Sequence, residues 1–349
     1  MSTSNLTTSS LNAPYFVLDP VLDNFFRVLN LCILSFIIGV FGIAANFINI
    51  CVFRKLGYRD GVNITLTALA VSDIGALLSQ EFYNILATPM IQEYDLFLTK
   101  GQLMTVMHYI VGYFVRVSSV ITSFASLERC LCVVLPLKVK TIITPRVVVV
   151  YNVIIFLILS LYMFPPYYSL YLDIKFLPGY NKTIWYFFYQ PYSERVLKIS
   201  YNITDLVLPY GTFLVLLLCS SIMYIKIKRM SEWRRSISSA GSHATSKSSV
   251  KEMKSGVMLI IVSLLCICFL SPEAALFTAA GFVREMKQDG IYKGVTNLVI
   301  SFTTLLQTIN CSVTIVIYYN MSSKYRDEFH TIIQKYKPSS TFFCVKKHQ

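Results

Sequence analysis

A small set of ionisable residues stands where the surrounding sequence offers little water. Asp73, Glu81, Arg116, Asp205, Glu273 and the adjacent pair Glu128-Arg129 each lie inside, or at the end of, a long apolar run. A charge in such surroundings is costly unless it finds an opposite charge, a proton, an ion or a polar cavity. The chemistry open to these residues is therefore pairing and recognition. Enzymatic chemistry has no support in the sequence. There is no glycine-rich phosphate loop, no paired Cys-x-x-Cys spacing for zinc, and no Ser, His and Asp set on a plausible scaffold. The four histidines (His108, His243, His330 and His348) are scattered, which argues against a histidine-held metal site, and no cofactor is expected. Glu128-Arg129, at the exit of an apolar run, reads equally as an interface anchor or as a functional device.

The elements that must position these residues follow from composition. The chain has 349 residues, 55% of them hydrophobic and 14% charged, with a mean hydropathy of +0.58. A soluble domain of this size could not keep that much apolar surface from water, so the fold class expected is an all-α polytopic membrane protein. Apolar runs of spanning length fall near 28–53, 63–89, 104–133, 147–166, 199–225, 256–282 and 294–319. Pro89, Pro145 and Pro165-Pro166 mark their ends, whereas Pro209 and Pro272 lie inside them as kinks. The expected organisation is an extracellular tail over 1–27, a seven-helix membrane domain over 28–319, and a cytoplasmic tail over 320–349. That tail holds an amphipathic helix at 321–334 along the inner leaflet.

Orientation comes from the basic residues. Most of the 31 Lys and Arg lie in the segments that an outward-facing start places inside, including Arg54, Lys55, Arg59, Lys138, Lys140 and Arg146. The formal charge of +13 is thus matched to anionic membrane lipids, not to nucleic acid. Residues 1–24 carry no Lys or Arg and offer Asn5-Leu6-Thr7 as a glycosylation acceptor, with Asn181-Lys182-Thr183 as a second. None of the nine cysteines falls in an outside loop, so no extracellular disulfide is expected. Ser231–Ser249 is serine-rich and reads as disordered, with Arg234-Arg235-Ser236 as a kinase target or a bland linker. Cys344 beside Lys346-Lys347 permits palmitoylation.

Spaced motifs along these runs resemble those of the rhodopsin-like G-protein-coupled receptors, over residues 28 to 333. Gly42-Ile43-Ala44-Ala45-Asn46 is similar to the family's Gly-Asn element, and Leu69-Ala70-Val71-Ser72-Asp73 to its Leu-Ala-x-x-Asp. Glu128-Arg129-Cys130 resembles Asp/Glu-Arg-Tyr, with Pro136 following as an inside-loop contact. Pro272 matches the segment-six proline, and Thr314 to Tyr318 stands where the family has Asn-Pro-x-x-Tyr. The departures are Leu270 for the segment-six Trp, Thr314 and Ile315 for the segment-seven Asn and Pro, and Met104 where the disulfide Cys would fall. The sequence is identified as a divergent member, resembling invertebrate peptide and chemosensory receptors.

The resemblance implies an extracellular ligand, peptide or small molecule, and a heterotrimeric G protein as partners, with receptor kinases and arrestin in attendance. It implies a switch of Glu128, Arg129, Pro136, Pro272 and Tyr318. It also implies an intramembrane polar core of Asn46, Asp73, Ser118, Asn310 and Thr314, in which Asp73 would hold sodium. Thr308 replaces the retinal-binding Lys of opsins, and Val111 the Asp of amine receptors. Arg116 lies 13 residues before Arg129, about 20 Å along a helix, hence deep in the outer half. It could pair with Asp205 or Glu273 to hold helices together, the reading preferred because unpaired charge is so costly. Alternatively that pair floors a pocket with Tyr109, Tyr113, His108 and Phe302, and a ligand exchanges with one member. A transporter or channel, or a receptor-like protein that no longer signals, are the alternatives in function.

Overall fold

A computed structural model of the chain describes residues 19–88, 91, 98–135, 139, 143–178, 181–238, 247–286 and 290–336. Among them, seven helices are long and apolar enough to cross a membrane: α1 (Val21–Leu56), α2 (Gly61–Ala87), α3 (Lys100–Val134), α4 (Pro145–Tyr168), α5 (Ser193–Trp233), α6 (Ser255–Phe282) and α7 (Lys293–Met321). An eighth helix, α8 (Ser323–Tyr336), follows α7.

The ends of these helices are set by ordinary caps. Asp60, Thr99 and Thr144 accept from the backbone N–H of Val62, Gln102 and Val147, and Pro145 occupies the first turn of α4. Gly57 ends α1 at φ +84°, a conformation that a side chain would resist. The extended backbone of Ser322 separates α7 from α8, and its hydroxyl accepts from Tyr325 N–H at 3.3 Å. That cap places the start of α8 at Ser323, two residues later than the amphipathic pattern suggested.

Polarity is inverted relative to a water-soluble domain. Asn46, Asn49, Ser72, Asp73, Ser118 and Ser126 are buried, while Phe41, Phe47, Phe82, Leu157 and Leu218 are exposed. An exposed apolar belt on this scale is unstable in water and suited to lipid. Close helix approach relies on small residues: a side chain at Gly42 would strike Ser312 and Leu77, joining α1, α2 and α7.

The segment after α4 is more than a loop among its described residues. It forms the antiparallel hairpin β1 (Leu170–Leu177) and β2 (Lys182–Tyr189), paired Leu170↔Tyr189 through Leu177↔Lys182, and α5 begins at Ser193. Its Leu-Tyr-Leu-Asp-Ile-Lys-Phe-Leu sequence satisfies strand propensity. Gln102 Nε2 donates to Phe187 O at 3.0 Å, which ties the hairpin to α3.

Two helices carry π turns, at Val28–Ser35 in α1 and Asn202–Val207 in α5. The second lies just before Pro209, which has no N–H to give its own turn. Asp205 therefore sits on a wider turn.

Candidate functional site

Arg116 is the centre of a closed arrangement between α3 and α5. Its Nη2 pairs with Asp205 Oδ1, Nε donates to Thr204 O at 3.0 Å, and Nη1 donates to Gly112 O at 2.9 Å. The guanidinium also lies over the Tyr162 ring of α4, 4.6 Å from its centroid. Asp205 Oδ2 accepts from Thr204 Oγ1 at 2.6 Å. Both side chains are nearly buried, at 12% and 14% exposure. All three guanidinium nitrogens are thus engaged within the protein. Of the two acids the sequence offered to Arg116, the structure pairs it with Asp205.

Glu273 stands apart from that pair. It lines a cavity of about 40 Å³ with Arg116, Asp205, Phe213, Leu270 and Phe277. It also lines a smaller one with Gln80, His108 and Gln307. Of the other pocket candidates, His108 borders this space, and Tyr113, Tyr109 and Phe302 do not line it. Tyr113 donates to Phe156 O on α4 at 3.0 Å and packs on Phe114, so it is a packing residue. Tyr109 belongs to an aromatic cluster with Tyr162 and Tyr167, one ring removed from Arg116. Phe302 is exposed and packs on Phe26. His108 lies on the smaller cavity, its ring 5.9 Å from that of Phe277.

At the bundle's centre, Ser118 Oγ donates to Asp73 Oδ1 at 2.7 Å, and the buried Cys311 side chain neighbours the same carboxylate. Among the described residues the Asn310 side chain, expected beside Asp73, makes no hydrogen bond. Consecutive helical residues point about 100° apart, and the phase of α7 brings Cys311 inward instead. A thiol is a poor partner for a hard cation, which prefers oxygen ligands. Asn46 donates to Gly42 O at 2.9 Å and to Cys311 O at 2.8 Å, binding α1 to α7. Asn49, which sequence reasoning missed, extends the network. It donates to Asn46 Oδ1 at 3.2 Å and Thr314 Oγ1 at 3.4 Å, and accepts from Tyr325 OH of α8 at 2.5 Å. Burial pushes the Tyr325 phenol well above its usual range, so it remains a neutral donor.

The α8 end of the bundle holds the second arginine. Arg129 does not pair with Glu128, because neighbours on a helix do not face each other. Its Nη2 reaches Asp60 Oδ1 at 3.1 Å, in the turn before α2, while Nε is buried without a partner. The same Asp60 oxygen accepts from Val62 N–H at 3.3 Å, so one carboxylate caps α2 and holds Arg129. Glu128 turns instead to Thr65 Oγ1, at 3.5 Å. A cleft of about 360 Å³ opens here among Arg59, Asp60, Arg129, Met258, Tyr318 and Tyr325. The buried Tyr318 hydroxyl has no partner, and its ring packs on Phe53 and Tyr325. Behind the cleft, Ser126 and Ser263 bond at 2.6 Å between α3 and α6.

Pro272 lies within α6 without ending it. Asn181 is exposed in the hairpin turn, at φ +47°. Pro136 and Asn5 lie outside the described residues, as does Cys344.

Seven spanning helices, an arginine held at one end of α3 and a polar chain through α1, α2, α3 and α7 define a serpentine membrane protein of the receptor type. Residues 33–335 match the serpentine seven-transmembrane G-protein-coupled chemoreceptor family Srw, and the chain belongs to that family. It is also similar to the FMRFamide receptor of Drosophila melanogaster, with 23% identity over 341 residues covering 91% of this chain. The match spans 56% of that longer protein.

Proposed function

We propose that the chain is a receptor of the plasma membrane that binds an extracellular ligand and activates a heterotrimeric G protein. In this reading the hairpin end faces outside and the α8 end faces the cytoplasm, as the Lys/Arg distribution favours. Asn5 and Asn181 would then be glycosylation sites, the latter on an exposed turn. Receptor kinases and arrestin would act on the serine-rich segment 231–249 and the tail, and α8 would lie against membrane lipids.

The observation that carries the reading is the contrast along α3. Arg116 is locked beside a cavity, whereas Arg129 is held over a cleft by a single carboxylate. Ligand at the first site would bias a two-state bundle, moving α6 about Pro272. At the second site Arg129 would leave Asp60 and the cleft would widen for the G protein. The ligand is a peptide or a small chemosensory molecule. A short amidated peptide, as the Drosophila relative's name specifies, is the first to try.

The test is agonist-driven guanine-nucleotide exchange in cells that express the chain. Arg129→Gln should abolish exchange while surface binding of the agonist persists. Full coupling by that variant, or solute flux without nucleotide exchange, would overturn the proposal.

A further inference from the structure

The charges around the α3–α5–α6 cavity do not balance. Arg116 and Asp205 neutralise one another, and every nitrogen of the guanidinium already has an acceptor. Asp205 is closed as well, one oxygen on Arg116 and the other on Thr204. Among the described residues the Glu273 side chain makes no hydrogen bond or ion pair, and its charged neighbours are that same pair. With Glu273 ionised the three groups together carry one net negative charge, and the carboxylate that supplies it lines the cavity. The remaining wall is mostly apolar, with Leu208, Phe213, Leu270, Ala274 and Phe277, and its two hydroxyls, Ser119 and Thr212, bond to each other at 3.2 Å.

A carboxylate on an apolar wall must take a proton or find a cation. The cavity of about 40 Å³ has room for about three waters, or a headgroup of that size. His108 and Gln307 share the smaller cavity on the other side of Glu273, about 10 Å³ in volume. That space holds no more than one water and admits no headgroup. Approach to Glu273 is therefore from the α3–α5–α6 side.

We propose that the ligand presents a cationic group, guanidinium or ammonium, beside an apolar or aromatic one, and that Glu273 is its counter-ion. The inference rests on the reading of this cavity as the ligand floor. Val111 lacks the acid that amine receptors place on α3, and here the acid comes from α6 instead. Because Glu273 directly follows Pro272, a cation bound there acts on α6 at the turn next to its kink. Binding and movement of α6 are thus joined at one residue.

Purified full-length protein in detergent, heated with millimolar phenethylguanidine or with its neutral isostere phenethylurea, tests this directly. The guanidine should raise Tm by about 2 °C or more by mass action, and the urea should not. Glu273→Gln keeps the shape and removes the charge, so its guanidine shift should vanish; Glu273→Asp should keep part of it. No guanidine shift in the wild type, an equal shift with both compounds, or an undiminished shift in Glu273→Gln would each overturn the proposal. The wild-type comparison and Glu273→Asp decide the matter even if Glu273→Gln fails to fold. A guanidinium-specific shift in a protein that never drives nucleotide exchange would keep this site and remove the coupling. Exchange driven by a neutral ligand would do the reverse.

Discussion

The two arginines of α3 have the same side chain and opposite fates. Arg116 is held by a buried carboxylate, two backbone carbonyls and an aromatic face. Among the described residues Arg129 has one partner, Asp60, whose side chain is 55% exposed. Breaking a buried, fully bonded pair costs about 3–5 kcal/mol, whereas a solvent-screened pair contributes about 0–1 kcal/mol. A switch needs a contact that a ligand's differential affinity can overcome, and only Arg129 is bound weakly enough. Arg116 is an anchor against which such a movement can be transmitted.

The largest test of that contrast is Arg116→Met. It leaves Asp205 buried and unpaired, so stability should fall by about 3–5 kcal/mol, with little protein at the cell surface and a much lower Tm. Removing both charges, as in Arg116→Met with Asp205→Leu, should recover most of the loss. Surface expression retained by the single variant, together with a lost ligand response, would move Arg116 from anchor to ligand contact.

A smaller effect is expected where the α8 end is held by neutral bonds. Asn49→Ala strands the Tyr325 hydroxyl and an Asn46 oxygen, at about 1–3 kcal/mol. Hydrogen exchange should then show Ser323–Tyr336 losing protection before α3 does. Uniform loss along the bundle would mean that α8 and α3 open as one unit and that the two ends are not separable.

Much of this was readable in the sequence, and the failures have physical causes. Hydropathy placed seven helices, and the depth of Arg116 followed from its 13-residue spacing to Arg129. That Ser118 stands beside Asp73 was implied by the family resemblance. The partner of Arg129 was not readable, because Asp60 belongs to a loop that only tertiary packing brings beneath α3. The resemblance pointed to Asn310 where the buried residue is Cys311, and on a helix one residue is enough to turn a side chain from core to flank. Asn49 matches no motif of the family, and its role is not evident until Tyr325 arrives from α8. The hairpin was hidden by aromatic residues that suit strands as well as membrane interfaces. The preference for Asp205 over Glu273 depends on the π turn before Pro209, which sequence periodicity does not report.

The finest test concerns Asp60, which does two things with one oxygen. Asp60→Ala would remove the α2 cap and the Arg129 contact together, and the two effects could not be separated. Asn is as good an N-cap as Asp, so Asp60→Asn keeps Val62 N–H satisfied and removes only the charge. Stability should change by less than about 1 kcal/mol, because an exposed pair contributes no more than that. The same quantity sets the limit on function. If the Arg129–Asp60 contact exists only in the resting arrangement, its loss shifts the two-state equilibrium by at most about fivefold. Ligand-independent nucleotide exchange should therefore rise about two- to fivefold, and agonist potency should improve in proportion. Unchanged basal exchange in a variant with wild-type Tm would mean that Asp60 merely caps α2. The restraint on Arg129 would then lie elsewhere in the cleft.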